Sequence, residues 1–167
     1  LNQMSSAAKM IQLLRANESI QIQLEESLGT LRRNNIELDT LSRYDPLTGI
    51  LNRRGFFDAA EKLLAARSGD EGFLAIYADL NNLKIINDRY GHEEGDFSIR
   101  LTGQLLRDSI GKNGICGRIG GDEFACLVPY SDTAWSESLY RSLHRAFAMF
   151  NRTSEKAYNI TVSTGFY

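Results

Sequence analysis

Apolar and polar positions follow two different periods along the chain, and the period changes near residue 43. Residues 1–43 contain no proline, and apolar positions recur in steps of three and four, as on one side of a long helix. The register reads Leu14, Asn17, Gln21, Leu24, Leu28, Leu31, Asn35 and Leu38. This pattern predicts a stalk helix that pairs as a parallel dimeric coiled coil, in preference to a single amphipathic helix packed on its own domain.

The remaining residues, 44–167, alternate between helix-like and strand-like patterns. Proline and glycine in the segment 45–49 end the stalk helix, and Asn52 is placed to cap the helix that follows. Further predicted elements are a strand over 72–80 that is covered on both faces, two helices separated by Gly91, a hairpin, a helix over 132–150 and a strand over 158–167. The order predicts an α+β fold, with a central mixed, mainly antiparallel sheet flanked by helices.

The predicted hairpin carries the most unusual chemistry in the chain. Gly120 and Gly121 lie between two apolar runs, where glycine is favoured because it accepts a positive φ in a turn. Asp122 and Glu123 follow at once, so both carboxylates are expected at the hairpin tip. A third acid, Asp79, lies at the end of the predicted strand 72–80. If that strand neighbours the hairpin, the three carboxylates converge.

Composition narrows the possible partners. The hydrophobic content of 43% and charged content of 24% are globular values, and a net charge of −2 argues against a nucleic-acid partner. Cys116 and Cys126 are interpreted as buried, reduced thiols of a cytoplasmic protein, in preference to a disulfide across the hairpin or a metal site. Because the chain begins at Leu1, it is interpreted as part of a longer protein that could be anchored in a membrane upstream.

Three segments together carry a family resemblance. They are Asp-Pro-Leu-Thr-Gly at 45–49, Asn-Asp-x-x-Gly-His-x-x-Gly-Asp at 87–96 and Gly-Gly-Asp-Glu-Phe at 120–124. On these segments the chain resembles the GGDEF family, the diguanylate cyclases, over roughly residues 43–167. The resemblance implies a ferredoxin-like fold similar to the palm of nucleotidyl cyclases and polymerases. It divides the chain into a stalk, 1–43, and a C-terminally truncated catalytic domain, 44–167.

The resemblance also implies an activity and its residues. Two GTP would be condensed into cyclic di-GMP and two pyrophosphates, with one GTP on each subunit of a homodimer controlled by an upstream sensor domain. Mg²⁺ or Mn²⁺ would be bound by Asp79, the carbonyl of Leu80 and Asp122. Glu123 would assist deprotonation of the 3′-hydroxyl. Asn87 and Asp96 would contact guanine. The phosphates would be bound by the backbone of Asn82 and Leu83 and by Lys84. Gly120 and Gly121 would let the substrate approach the hairpin backbone closely.

The sequence departs from the family pattern at three places. Asn81 stands where the family often has an aspartate, and no metal role is assigned to it. Gly111 and Gly114 occupy the arginine and aspartate positions of the family's inhibitory product site. The chain stops at Tyr167, before the family's phosphate-binding Lys and Arg. Two alternatives therefore stay open: a catalytically inactive GTP-binding regulatory module, and a dimerisation adaptor.

Overall fold

The computed structural model describes residues 2–66, 72–130 and 132–167, and within the first helix it describes no side chain for residues 2–8, 16, 33, 35–37, 40 and 41. The first helix, α1, runs Asn2–Arg43. The chain forms two compact units, one up to Thr40 and one from Leu41 onward.

The first unit consists of α1 alone. Its leucines in the predicted register are exposed by 47–63%, namely Leu14, Leu24, Leu28, Leu31 and Leu38. The side chain of Asn35, one polar position of that register, lies outside the described residues. Among the helices described, none is both long and apolar enough to cross a membrane. The predicted helix is present, and the described leucines of its apolar stripe are exposed.

The second unit is a five-stranded sheet with helices packed on it. Its elements are β1 (Leu51–Asn52), α2 (Arg53–Ala65), β2 (Gly72–Leu80), α3 (Leu83–Tyr90), α4 (His92–Ile110), β3 (Ile115–Arg118), β4 (Glu123–Tyr130), α5 (Thr133–Thr153) and β5 (Val162–Phe166). The strand order is β1-β3-β4-β2-β5. Among the described strands, β1 and β3 pair in parallel, and the pairs β3–β4, β4–β2 and β2–β5 are antiparallel. The predicted mixed, mainly antiparallel sheet with flanking helices is confirmed.

Strand β2 lies inside the sheet but is covered on one face only. Its even positions are buried at Leu74, Ile76, Ala78 and Leu80, where they join the core shared with α4 and α5. Tyr77, on the opposite face, is 38% exposed. The prediction of cover on both faces was wrong, because α4 and α5 pack against each other and against the same side of the strand.

The last strand begins later than the residue pattern predicts. Tyr158 and Ile160 precede β5, which starts at Val162. Ile160 is fully buried, as an inward strand position would be. However, its N–H donates to Asn151 Oδ1 at 2.9 Å, and its carbonyl accepts from Asn151 Nδ2 at 2.8 Å. A side chain of α5 therefore satisfies the backbone groups that a neighbouring strand would otherwise have paired.

Strand β1 was not predicted, because a two-residue strand is too short to show a period. Leu51 pairs with Gly117, which has no room for a side chain: an added Cβ would lie 2.7 Å from the Phe56 Cβ. Directly after the strand, Asn52 Oδ1 accepts the Gly55 N–H at 2.8 Å. The predicted helix cap at Asn52 is confirmed.

The two cysteines face each other across the hairpin. Cys116 on β3 pairs directly with Cys126 on β4, and their sulfur atoms are 3.3 Å apart. Both thiols are free and buried, which confirms the interpretation of two buried thiols.

Candidate active site

The hairpin between β3 and β4 closes on the carbonyl of its first β4 residue. The N–H groups of Ile119 and Gly120 both donate to the Glu123 carbonyl, at 2.9 and 3.3 Å. The expected positive φ was wrong for Gly120 and Gly121, since neither glycine adopts it. An added Cβ at Gly120 would overlap the end of the Glu123 side chain, so a larger residue there would force the Glu123 carboxylate to move.

Three carboxylates meet at one end of the central strands. The antiparallel register of β2 and β4 places Asp79 directly opposite Glu123. One residue further, the Leu80 N–H donates to the Asp122 carbonyl at 2.9 Å, which fixes the turn against the end of β2. The strands that carry the predicted acids are therefore neighbours, and the structure brings Asp79, Asp122 and Glu123 together.

The three carboxylates form a cluster of negative charge that no basic side chain of the described residues neutralises. Burial, and then the charges of Asp122 and Glu123, raise the pKa of Asp79 above its ordinary value. In the described part of the chain, no basic side chain forms an ion pair with any of the three acids. A divalent cation bound by oxygen ligands would relieve this repulsion.

The protein groups fit a partial metal site rather than a closed one. Among the described residues, no group of three or more His, Cys, Asp or Glu side chains could by itself hold a metal ion. Mg²⁺ commonly takes one or two carboxylates from the protein and completes its shell with water and substrate phosphates. The carboxylates of Asp79 and Asp122, next to the backbone of Leu80, are a donor set of this kind.

Tyr77 is a site residue that the sequence analysis did not identify. It lies two residues before Asp79, on the same face of β2, and its hydroxyl donates to Glu123 Oε1 at 2.5 Å. This hydrogen bond, followed by desolvation and the nearby carboxylates, raises the pKa of Tyr77 to about 12. The phenol therefore stays protonated and fixes the Glu123 carboxylate. The sequence could have indicated Tyr77, because side chains two residues apart on a strand lie on the same face.

Asn81 uses its amide to join β2 to the start of β5. Its Nδ2 donates to Thr161 Oγ1 at 3.2 Å, and its Oδ1 accepts from Ser163 Oγ at 2.8 Å. An aspartate could accept the second bond but could not donate the first. In this chain the residue at the family's aspartate position thus has a structural role between strands.

The predicted phosphate-binding residues open α3. Asn82 has φ 60° and ψ 22°, and it is the one residue other than glycine with a positive φ in the described chain. Its side chain makes no capping hydrogen bond. Leu83 and Lys84 begin the helix, and Lys84 is exposed. The first backbone N–H groups of α3 therefore lack a side-chain cap and lie just beyond the end of β2.

The predicted guanine-reading residues come from two helices that meet at one glycine. Gly91, at φ 92°, ends α3 and begins α4. Asn87 contacts Gly95 so closely that an added Cβ there would overlap the Asn87 amide oxygen. Asp96 follows Gly95 and is exposed, whereas Asn87 is half-buried. Asn87 lies four residues into α3, about 6 Å along the helix axis from the expected phosphate site.

Arg118 connects the hairpin to the turn that follows α1. Its guanidinium donates to the Gly121 carbonyl at 2.7 Å and pairs with Asp45 at 3.3 Å. Asp45 also accepts the N–H and the hydroxyl of Thr48, at 2.9 and 2.7 Å. The side chains of Asp45 and Arg118 are only 15% and 16% exposed. These contacts hold the hairpin between β3 and β4, which carries the Gly-Gly-Asp-Glu-Phe segment and is called the signature hairpin below. The sequence analysis assigned neither Asp45 nor Arg118 a role in holding it.

We expect Asp45→Ala to lower the free energy of unfolding by about 2–3 kcal/mol, because it removes four hydrogen bonds and leaves the largely buried Arg118 without its carboxylate. Urea unfolding measures the change. The matched control is Asp58→Ala, whose 4.0 Å pair with Arg54 is solvent-exposed and should contribute less than about 0.5 kcal/mol. Equal losses in the two variants would contradict a structural role for the Asp45–Arg118 pair.

The mixed five-stranded sheet with flanking helices is the fold of solved GGDEF domains. The family model for the diguanylate cyclase GGDEF domain matches residues 42–167. The chain belongs to the GGDEF family.

Individual relatives agree with this assignment. The diguanylate cyclase DgcP of Escherichia coli is 36% identical over 135 residues, which are 80% of this chain and 39% of DgcP. The cyclic di-GMP phosphodiesterase NbdA of Pseudomonas aeruginosa is 28% identical over 141 residues, 81% of this chain and 18% of NbdA. The chain thus spans less than half the length of either relative.

A solved structure matches most of the chain. The crystal structure of the coiled coil and GGDEF domain of DgcB from Caulobacter crescentus, in complex with c-di-GMP, superposes with a TM-score of 0.71 at 25% identity. The match covers 89% of this chain and 82% of that one.

Proposed function

We propose that this chain is the catalytic part of a diguanylate cyclase that converts two GTP into cyclic di-GMP and two pyrophosphates. The observation that carries the proposal is the β2–β4 register, which sets Asp79 opposite Glu123 and beside the Asp122 turn. Membership of the GGDEF family and the similarity to DgcP support it. In this proposal each subunit of a homodimer holds one GTP.

Mg²⁺ or Mn²⁺ would be held by the carboxylates of Asp79 and Asp122 and by the Leu80 carbonyl. A divalent cation bound there would neutralise triphosphate charge and would lower the barrier to attack by the 3′-hydroxyl. Glu123 then assists removal of the hydroxyl proton. Tyr77 keeps that carboxylate in place by donating to one of its oxygens, which leaves the other oxygen free to accept a proton.

The rest of GTP would extend along α3. The uncapped N–H groups at Asn82 and Leu83 would donate to phosphate oxygens, with Lys84 adding positive charge. The Asp96 carboxylate can accept both guanine N1–H and N2–H₂, and the Asn87 amide can pair with the neighbouring edge. Gly120 and Gly121 would let phosphates approach the hairpin backbone.

The proposed assembly follows from the reaction. Two bound GTP must face each other, so two copies of the domain have to meet, and the uncovered leucines of α1 offer the means of pairing. An upstream sensor domain would control this pairing. The proposed compartment is the cytoplasm, where GTP is abundant.

The decisive experiment is to incubate the full-length protein with GTP and Mg²⁺ and to analyse products by mass. Cyclic di-GMP and pyrophosphate, absent when EDTA is added, would support the cyclase. GTP binding without any product would favour the alternative, a catalytically inactive GTP-binding regulatory module. The similarity to NbdA favours this alternative, because NbdA is named a cyclic di-GMP phosphodiesterase and not a cyclase.

We expect Asp96→Ser to reduce the preference for GTP over ATP by about tenfold or more, because the carboxylate pairs with donors that adenine lacks on that edge. Competition between GTP and ATP in mixtures measures the ratio. The control is Asp88→Ser, an exposed acid on α3 with no assigned contact. If Asp96→Ser leaves the GTP-to-ATP preference unchanged, Asp96 does not contact the base and serves only to stabilise the start of α4.

We expect that cyclic di-GMP binding at the surface formed by residues 107–114 changes the initial rate of product synthesis by less than about twofold. That surface lacks an arginine at the position where its paired donors would bind phosphate. Gly111 has φ 70°, which disfavours any replacement, and a Cβ at Gly114 would overlap Val128. Lys112 offers only a point charge. The measurement is a rate assay with added product and with pyrophosphate removed. Inhibition that survives saturating GTP and disappears on mutating this surface would contradict the expectation.

A further inference from the structure

The segment between α5 and β5 contacts both helices of the proposed guanine site. We name residues Lys156–Tyr158 the loop clamp. The clamp begins 46 residues after Ile110, the last residue of α4, and Lys156 and Glu94, which meet there, are 62 residues apart in sequence. None of the three sequence segments that carry the family resemblance includes it.

The first half of the clamp is an ion pair on α4. Lys156 Nζ lies 2.6 and 2.9 Å from the two carboxylate oxygens of Glu94, and 4.3 Å from the centre of the Phe97 ring. The Lys156 and Glu94 side chains are about one-third exposed. The hydrogen bonds from Lys156 and then Tyr158 lower the pKa of Glu94 from its ordinary value, so the carboxylate is ionised at neutral pH.

The second half of the clamp joins α4 to the end of α3. The Tyr158 hydroxyl donates to Glu94 Oε2 at 2.5 Å, and the Tyr158 ring lies 4.9 Å from that of Tyr90. Tyr90 in turn donates to the Ala157 carbonyl at 3.2 Å. The last residue of α3 and the third residue of α4 are therefore held by the same short segment.

This matters because the covalent connection between α3 and α4 is a single glycine. Gly91 has φ 92° and ψ 163°, and an added Cβ there would meet no atom within 4 Å. Its N–H donates to the Asn87 carbonyl and its carbonyl accepts from the Glu94 N–H, and the clamp adds side-chain contacts to these backbone bonds. Asn87 and Asp96 lie on opposite sides of the joint, four and five residues from Gly91. A small rotation of α4 about this joint would move Asp96 relative to Asn87.

We propose that the loop clamp is a positioning device for guanine recognition, in which Lys156 and Tyr158 hold Glu94 and so set Asp96 against Asn87. The inference rests on the proposed function, because it assigns the clamp to the same nucleotide site. In this proposal the clamp residues act through Glu94 and not by contact with the base. Their loss should weaken binding and base choice while it leaves the three carboxylates on β2 and the hairpin unaffected.

The test uses Tyr158→Phe, which keeps the stack on Tyr90 but removes the hydroxyl, and Lys156→Met, which keeps the apolar stem. In the full-length protein we expect KM for GTP to rise about three- to tenfold, as for the loss of one ordinary hydrogen bond, with kcat changed less than about twofold. The GTP-to-ATP preference should fall in parallel. The control is Tyr130→Phe, whose hydroxyl contacts only Thr133 in the described structure.

Equilibrium binding of a non-hydrolysable GTP analogue gives a readout that does not depend on turnover. Its Kd should rise with KM in both clamp variants, with melting temperatures recorded to confirm folding. Unchanged Kd and base choice in folded variants would overturn the proposal. A fall in kcat at constant KM would also overturn it, because the clamp would then act on the chemical step.

A double-variant cycle separates failure of this inference from failure of the proposed function. If the clamp acts through Asp96, Tyr158→Phe should add little to Asp96→Ser in base choice. Fully additive effects would contradict that route. If Asp96→Ser alone alters base choice and the clamp variants do not, only the clamp proposal fails. If Asp96→Ser leaves base choice unchanged, the guanine assignment itself is wrong.

Discussion

Asp122→Asn should lower the rate of cyclic di-GMP synthesis by about a thousandfold or more, because it removes one of the two carboxylates proposed to bind the metal. The fold should survive. The hydrogen bond that anchors the turn uses the Asp122 backbone carbonyl, which the substitution keeps. The variant also removes a negative charge that raises the pKa of Asp79. We therefore expect the urea concentration at the midpoint of unfolding to be equal to that of the unmodified protein or slightly higher.

The matched control is Asp108→Asn, an exposed acid on α4 whose contact with Arg107 is at 3.6 Å. It should synthesise the product normally. Product formation is measured by mass, and metal binding by the concentration of Mn²⁺ needed for half-maximal binding of a non-hydrolysable GTP analogue. Near-normal synthesis by Asp122→Asn, with an unchanged Mn²⁺ requirement, would remove Asp122 from the metal site.

Leu28→Glu combined with Leu31→Glu should convert the protein to monomers and lower its activity at least about tenfold at micromolar concentration, since the proposed reaction needs two facing subunits. The two leucines are 47% and 58% exposed in the single chain, so the charges cost little in the monomer. In a paired stalk they would be buried side by side. Light scattering gives the oligomeric state, and the rate is measured over a range of protein concentrations.

The control places the same charges on the outer face of α1, as Ile22→Glu with Gln23→Glu. Ile22 is 54% exposed and lies outside the predicted register. This variant should remain a dimer and stay active. A Leu28/Leu31 variant that remains dimeric would place the interface elsewhere, and a monomer with full activity would contradict the requirement for two subunits.

Local sequence predicted the parts of the site that depend on local structure. The acids at 122 and 123 follow a turn signal, and Asp79 follows a run of apolar residues long enough to read as a strand. A helix stop at Gly91 follows from glycine chemistry alone. These features need no knowledge of which strands are neighbours.

Side-chain partners far apart in sequence could not be predicted in the same way. Tyr77 and Glu123 are 46 residues apart, and Arg118 and Asp45 are 73 apart. No period links such pairs, because their contact depends on the strand order β1-β3-β4-β2-β5. The same holds for Ile160, whose alternating pattern predicts a strand that the Asn151 side chain replaces.

Gly120 shows how a correct element can be predicted for an incorrect reason. The glycine pair predicts a hairpin because glycine tolerates a positive φ, and a hairpin is present. Neither glycine uses that freedom. The Glu123 carboxylate instead lies over Gly120, and the sequence does not show that a side chain folds back on its own turn.

The buried thiol pair makes the signature hairpin open to study by labelling kinetics. The hydrogen bond to Cys116, followed by burial, holds the pKa of Cys126 well above its ordinary range, so an alkylating reagent meets a reactive thiolate only after β3 and β4 separate. When reclosing is faster than alkylation, the labelling rate gives the free energy of that opening. Rates compared with and without nucleotide would then report how strongly a ligand at the hairpin tip holds the two strands together, in a protein that carries no added probe.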